Sequence, residues 1–327
     1  MQNTRPCYLV TGAAGFIGSR FVSSCNKRGI RVISVDKPEH FNARTEHQGV
    51  DAGTIIDREE LFTVLKRDKP SVDAIVHMGA CSDTMQLDEA FLRRVNIEYS
   101  QNIWNHARDH SIPLVYASSA ATYGDGSRGY NDDEDLTQKL QPLNPYGESK
   151  RRFDLWALSE DRAGQMPPSW CGLRFFNVYG FGERHKARMA SVVLHAFDQI
   201  RKTGRSRLFK SHREGIAHGH QKRDFIFVDD AVEVMHFAIE KRLKRGIYNL
   251  GTGEARTFLD LSRAVFAAME KPEDIEFFDT PAELRDRYQY FTEAEMKKLR
   301  GIGYAKPFTS LETGVKSYVD ELLKTPR

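Results

Sequence analysis

Tyr146 and Lys150, in NPYGESK at 144–150, stand four residues apart and so share one face of any helix that carries them. A phenol ordinarily loses its proton near pH 10. It becomes a base near neutrality when something favours its anion, and an ammonium at that spacing is expected to do so. Ser119, in YASSAATYG at 116–124, closes an apolar run that reads as a strand. Ligands of open α/β sheets gather at such carboxyl ends. Ser119, Tyr146 and Lys150 therefore suit a reaction that takes a proton from a hydroxyl while hydride leaves its carbon. Lys150 is also placed to hold nicotinamide ribose hydroxyls.

Hydride chemistry needs a carrier, and the segment VTGAAGFIGS offers a place for one. Gly12, Gly15 and Gly18 follow an apolar run and open a helical pattern, the setting in which glycines let a backbone approach a pyrophosphate at a helix N-terminus. Asp36 closes the next strand-like run, 18 residues beyond Gly18, where a carboxylate would accept from the adenosine ribose and favour NAD. Lys37 follows at once and Arg44 lies close behind. Either cation could pair with a 2′-phosphate and favour NADP, so the two signals point opposite ways. HMGACS at 77–82 supplies small residues for a loop beside the carrier.

The elements that must position these residues are legible as short apolar runs at 7–12, 31–36, 73–79, 112–119 and 170–176, each suited to a strand buried on both faces. Between them, Ile17, Phe21 and Cys25, then Leu61, Phe62 and Leu65, then the stretch from Phe91 to Ile103 carry helical spacing. Strand and helix in alternation imply a Rossmann-type, doubly wound parallel α/β sheet with right-handed crossovers. Residues 1–176 read as the dinucleotide-binding domain. Residues 177–327 read as a smaller mixed α/β substrate lobe with some elements returning to the first domain. There, helical patterns at 188–201, 229–242, 258–269 and 310–323 alternate with strand-like runs at 224–228 and 246–251. KSHREGIAHGHQKRD at 210–224 reads as a surface loop that can close over a ligand.

Of 327 residues, 40% are hydrophobic and 28% charged, which excludes collagenous, mucin-like and wholly disordered chains. A formal charge of +3 gives no broad footprint for nucleic acid or an anionic membrane. The four cysteines, Cys7, Cys25, Cys81 and Cys171, show no metal-ligand spacing and read as reduced core residues. No apolar run approaches a membrane span, and no signal-peptide core precedes the glycine loop. The expectation is a cytoplasmic enzyme without metal. His212, His218 and His220 read as solvated loop residues, since no carboxylate or cysteine completes a zinc set.

The glycine loop with Ser119, Tyr146 and Lys150 resembles the extended short-chain dehydrogenase/reductases, the nucleotide-sugar epimerases and dehydratases. GACSDT, YASSAATYG, RFFNVYG, HKARMAS, QKRDFIFVDD, YNLGTG and RYQYFT are similar, more narrowly, to the ADP-L-glycero-D-manno-heptose 6-epimerases, from about residue 7 to 323. That resemblance implies a retained NADP and inversion at C6 of an ADP-heptose through a transient ketone, with heptose supplied to the lipopolysaccharide core. It implies Tyr146 as one base and Lys186, in RHKARMAS, as the other. It implies cofactor contacts at Gly12, Gly15, Phe16, Ile17, Gly18, Asp36, Lys37, Met78, Gly79, Ala80, Cys81, Ser82, Asn96, Lys150, Val178 and Lys186. Substrate contacts fall on Ser119, Asn177, His195, Phe209, Arg223 and Tyr288, and a homo-oligomer, a pentamer in the family, is implied too.

Three departures stand out. Arg188 occupies a position where many members carry a small serine, making it a candidate contact to phosphate or sugar. The loop between Phe209 and Arg223 is long, and the segment after Lys37 does not follow the family pattern. A UDP-hexose 4-epimerase would share Ser119, Tyr146 and Lys150 but not call for Lys186. A dehydratase would need a carboxylate near Ser119, where Ala120, Ala121 and Thr122 stand. A non-catalytic NADP-binding protein would have no use for Tyr146 and Lys150 together.

Overall fold

The computed structural model describes residues 5–44, 48–243, 245–281, 285 and 288–325. The first half supplies β1 (Cys7–Thr11), β2 (Arg31–Asp36), β3 (Thr54–Asp57), β4 (Ala74–His77), β5 (Leu114–Ser119) and β6 (Trp170–Phe175). The helices between them are α1 (Phe16–Lys27), α2 (Pro38–Ala43), α3 (Leu61–Asp68), α4 (Glu89–Leu92), α5 (Tyr99–Asp109) and α6 (Pro145–Arg162). The second half adds β7 (Asn177–Tyr179), α7 (Val192–Thr203), β8 (Ser206–Phe209), β9 (Lys222–Phe227) and α8 (Val228–Glu240). It continues with β10 (Gly246–Leu250), β11 (Ala255–Thr257), α9 (Phe258–Ala268), β12 (Ile275–Phe278) and a C-terminal helix, Leu311–Lys324.

Seven strands form one parallel sheet in the order β10-β6-β5-β4-β1-β2-β3. Both faces are covered, as a parallel sheet requires. Tyr8 and Val10 turn towards Phe21 and Cys25 of α1 and Val232 and Met235 of α8. Leu9, one residue out of phase, turns to the opposite layer with Trp104 of α5 and Phe153 of α6. This is a doubly wound α/β fold. The strand order reverses between β1 and β4, so the loops after these strands part there and open a crevice. The remaining strands make two small sheets, β11-β9-β7 and β12-β8, over a core shared by α7, α9 and the C-terminal helix. From this second half, α8 packs on α1 and β10 joins the edge of the large sheet beside β6.

Several expectations shift. The strand read at 73–79 is confined to 74–77, because Met78 and Gly79 already turn away. β3 carried no signal, being a four-residue strand at the sheet's edge with only Ile56 buried. The helix expected from 188 begins at Val192, because the preceding residues form a tight turn broken at Ala187. Residues 222–224, read as loop, start β9. Cys7, Cys25 and Cys171 are buried, whereas Cys81 is half-buried in the loop after β4 rather than in the core.

One ion pair lies wholly inside this scaffold. Arg174 on β6 meets Asp154 on α6 at 3.2 Å, and neither side chain has exposed surface. Ser118 and Tyr116 of β5 donate to the same carboxylate at 2.8 and 3.1 Å, while Arg174 also donates to Thr137 and Tyr123. Removing one partner strands a buried charge. Arg174→Met is expected to cost about 3–5 kcal/mol in urea unfolding, and Arg174→Met with Asp154→Leu to recover much of it.

Candidate active site

β1 ends in a turn that only glycine satisfies. Gly12 has φ +66°, and a Cβ there would stand 2.6 Å from the Gly79 nitrogen, so the loops after β1 and β4 touch. A Cβ on Gly18 would overlap the Gly12 carbonyl oxygen. Gly15 caps α1 without a side-chain hydrogen bond, leaving first-turn N–H groups free of helical partners and aimed where a pyrophosphate would sit. Asp36, at the end of β2, accepts from Ala14 N at 3.2 Å, Lys37 N at 2.8 Å and His40 Nδ1 at 3.1 Å. Arg44 donates to the Ala14 carbonyl oxygen. Asp36, Lys37, His40 and Arg44 thus rim one side of the loop, and His40 was not singled out from sequence. These residues fit a dinucleotide.

Across the crevice, Met78 through Ser82 form the loop after β4. Thr11 Oγ1 accepts from Gly79 N at 3.1 Å. Asn96 accepts from Cys81 N at 2.8 Å and donates to Cys81 O and Ser149 Oγ at 3.0 and 2.9 Å. It is fully buried within a π-helical turn, Arg93–Glu98, joining α4 to α5. With its amide so engaged, Asn96 shapes the loop and ties it to α6.

Helix α6 begins where Asn144 accepts from Gly147 N at 2.8 Å, with Pro145 in the first position. Tyr146, Lys150 and Asp154 then descend one buried face. Lys150 Nζ donates to Ala117 O on β5 at 2.9 Å. Ser119 accepts from Ala121 N at 3.1 Å, and its hydroxyl neighbours the Tyr146 phenol. Here one expectation is corrected. Burial raises the Tyr146 pKa, opposed by the neighbouring Ser119 hydroxyl rather than by Lys150, whose ammonium is turned to Ala117. Burial also lowers the Lys150 pKa to about 8, with the Asp154 charge opposing it.

Lys186 approaches from the second lobe. Its Nζ lies 5.7 Å from the centre of the Phe16 ring, at the start of α1. Ile17 and Val178, half-buried, pack against the same cluster as Phe16. Burial pushes the Lys186 pKa down and the Glu183 charge opposes this. Ala187, next in the chain, has φ +47° and ψ −119°, a conformation that costs ~1–3 kcal/mol for a residue with a side chain. Arg188 is exposed and pairs with Asp83 at 3.0 Å, joining the Lys186 turn to the loop after β4.

The remaining residues gather farther out. Arg223, 7% exposed, is stacked between Phe258 and Tyr288, 5.5 and 5.4 Å from their ring centres. It donates to Lys222 O at 2.8 Å and to Gln289 O. Phe209 meets Tyr288 edge-on with ring centres 6.1 Å apart. Phe258 and Gln289 were not foreseen, because neither lies near Arg223 in sequence. His195 is half-buried near the start of α7, and Asn177 is exposed at the start of β7. In the long loop, His212 accepts from Thr280 N and His218 from Ser211 N, so two of the three histidines pin backbone instead of meeting solvent alone. The structure therefore assembles three groups: Ser119–Tyr146–Lys150 with Cys81 nearby, Lys186 beside Phe16, and Arg223 with Phe209 and Tyr288.

The NAD dependent epimerase/dehydratase family model matches residues 8–251. A Fusobacterium nucleatum protein named ADP-L-glycero-D-manno-heptose-6-epimerase is 46% identical, over 96% of this chain and 97% of its own length. The Helicobacter pylori ADP-L-glycero-D-manno-heptose-6-epimerase superposes with a TM-score of 0.81 at 26% identity, covering 98% of this chain and 97% of its own. The Thermus thermophilus UDP-glucose 4-epimerase, in complex with NAD, gives 0.79 at 25% identity, covering 98% of this chain and 100% of its own.

Because the Arg188 guanidinium is engaged with Asp83 at the surface, Arg188→Ala is expected to change KM for a nucleotide sugar less than about twofold. The midpoint of urea unfolding should move by under ~1 kcal/mol equivalent. Steady-state kinetics and unfolding of the same preparation check both.

Proposed function

The chain belongs to the NAD dependent epimerase/dehydratase family, and to the ADP-L-glycero-D-manno-heptose-6-epimerases within it, and we propose that it interconverts ADP-D-glycero-D-manno-heptose and its L-glycero epimer at C6. The observation that supports this reading is that Tyr146 stands beside Ser119 at the end of β5 while Lys186, from the other half of the chain, stands beside Phe16 after the glycine loop. Inversion returns hydride to the opposite face of the same carbon. The hydroxyl then meets a different protein group on the way back, so two such groups are needed.

Tyr146 takes the C6 hydroxyl proton from one orientation of the sugar, with Ser119 holding the phenol in line. Lys186 serves the other orientation. Lys150 would anchor the nicotinamide ribose. A bound nicotinamide dinucleotide supplies the acceptor and donor of hydride, and its oxidised ring carries a positive charge that favours the phenolate. Gly12, Gly15, Phe16, Ile17, Gly18, Asp36, Lys37, Asn96, Val178 and the loop Met78–Ser82 hold or shape that site. NADP is the form we assign. Asp36 already accepts from three donors, while Lys37 and Arg44 stand beside it with positive charge. Arg223, clamped between aromatic rings, is assigned to the diphosphate, with Asn177, His195, Phe209 and Tyr288 around it. The same reading makes the protein a cytoplasmic homo-oligomer that supplies heptose for the lipopolysaccharide core.

Purified protein given ADP-D-glycero-D-manno-heptose, with no coenzyme added, is expected to produce both C6 epimers. Tyr146→Phe and Lys186→Met should each lower turnover by about 10²–10⁴-fold while keeping the dinucleotide. Near-normal turnover in either variant would remove that residue from its role. An unchanged sugar would remove the substrate assignment.

A further inference from the structure

The turn that carries Lys186 is built around a carboxylate to which the reaction above gives no part. Glu183 has no exposed surface. It accepts from Ser191 N at 2.6 Å and from the Ser191 hydroxyl. Ser191 in turn caps α7, the helix that carries His195. The Lys186 amide donates to Glu183 O at 2.9 Å, so both ends of the Glu183 residue are tied to this corner. Between the two anchors the chain passes through Ala187 in its left-handed conformation, which persists only where the surroundings hold it.

The charges around Lys186 are otherwise matched elsewhere. Arg184 pairs with Asp198 and Arg188 with Asp83, His185 is the adjacent titratable residue, and α1 presents the uncharged Phe16 ring. Among the described residues, Glu183 is the ionisable neighbour whose charge acts on Lys186; burial raises the Glu183 pKa, and its Ser191 hydrogen bonds and the Lys186 charge oppose that. Glu183 has no exposed surface and Lys186 is half-buried, so this attraction is less screened than at an open surface.

We propose that Glu183 is a positioning residue for Lys186: it fixes the turn that aims the ammonium at the reacting hydroxyl and holds a buried negative charge in that same turn. The proposal rests on the role assigned to Lys186 above.

Glu183→Gln preserves size and can keep both Ser191 contacts, so it removes chiefly the charge. With dinucleotide-loaded, full-length protein, rates would be followed from each epimer across pH. The limb of the profile set by Lys186 is expected to move about one unit lower. kcat should fall about tenfold in the direction in which Lys186 gives up its proton, with KM little changed. In a Lys186→Met background, Glu183→Gln should cause no further loss. Ser191→Ala, which leaves the charge in place, should lower kcat without moving that limb, and it carries the test in both backgrounds if Glu183→Gln fails to fold. An unmoved limb in Glu183→Gln, or the same loss with and without Lys186, would overturn the proposal and leave Glu183 as a cap for α7. Near-normal turnover of Lys186→Met alone would instead remove the base assignment, and the proposal with it.

Discussion

Everything at the proposed catalytic face rests on burying Asp154 with Arg174. The pair spans α6 and β6, and Ser118 and Tyr116 bring β5 to the same carboxylate. Three elements are thereby locked together directly beneath Tyr146 and Lys150. A buried pair of this kind need not add net stability, since desolvation offsets its attraction. What it does is fix register. Ser118 is held inward, so Ser119 is presented at the strand's end. Asp154 is held two turns below Tyr146, where its charge helps keep Lys150 protonated against burial.

The second constraint is that the two groups proposed to handle protons arrive from different parts of the chain. Tyr146 is fixed by the sheet layer. Lys186 depends on Glu183, Ser191 and a strained Ala187, and reaches the site over Phe16. The exposed Asp83–Arg188 pair joins the Lys186 turn to the loop after β4, so the crevice is bridged at its rim as well as in its core.

Much of the fold was legible because its signals are local. The glycine loop, the buried parallel strands and the Tyr146–Lys150 spacing each lie within one element, and the structure forms those elements nearly where the sequence places them. What escaped depends on tertiary contact. β3 has one buried residue and no periodicity to read. Asp154 continues the Tyr146–Lys150 stripe, yet a helical aspartate reads as solvated until Arg174 is brought to it. Glu183 looks like an ordinary polar residue, and only folding shows it fully buried, while Asn96 was reached through the family resemblance and not through its own surroundings. The phenol shows the same limit. The lysine spacing suggested a direct effect on Tyr146, but the lysine donates to Ala117 and burial prevails.

The central claim is that C6 is inverted by oxidation and reduction in which the same hydrogen leaves and returns. The direct measurement is to run the interconversion of the two heptose epimers in D2O, without added coenzyme, and to examine C6 of both by NMR or mass spectrometry as they approach equilibrium. The account predicts that C6 keeps its protium throughout. Deuterium accumulating at C6 in step with epimerisation would contradict it, because the hydrogen would then have passed through solvent.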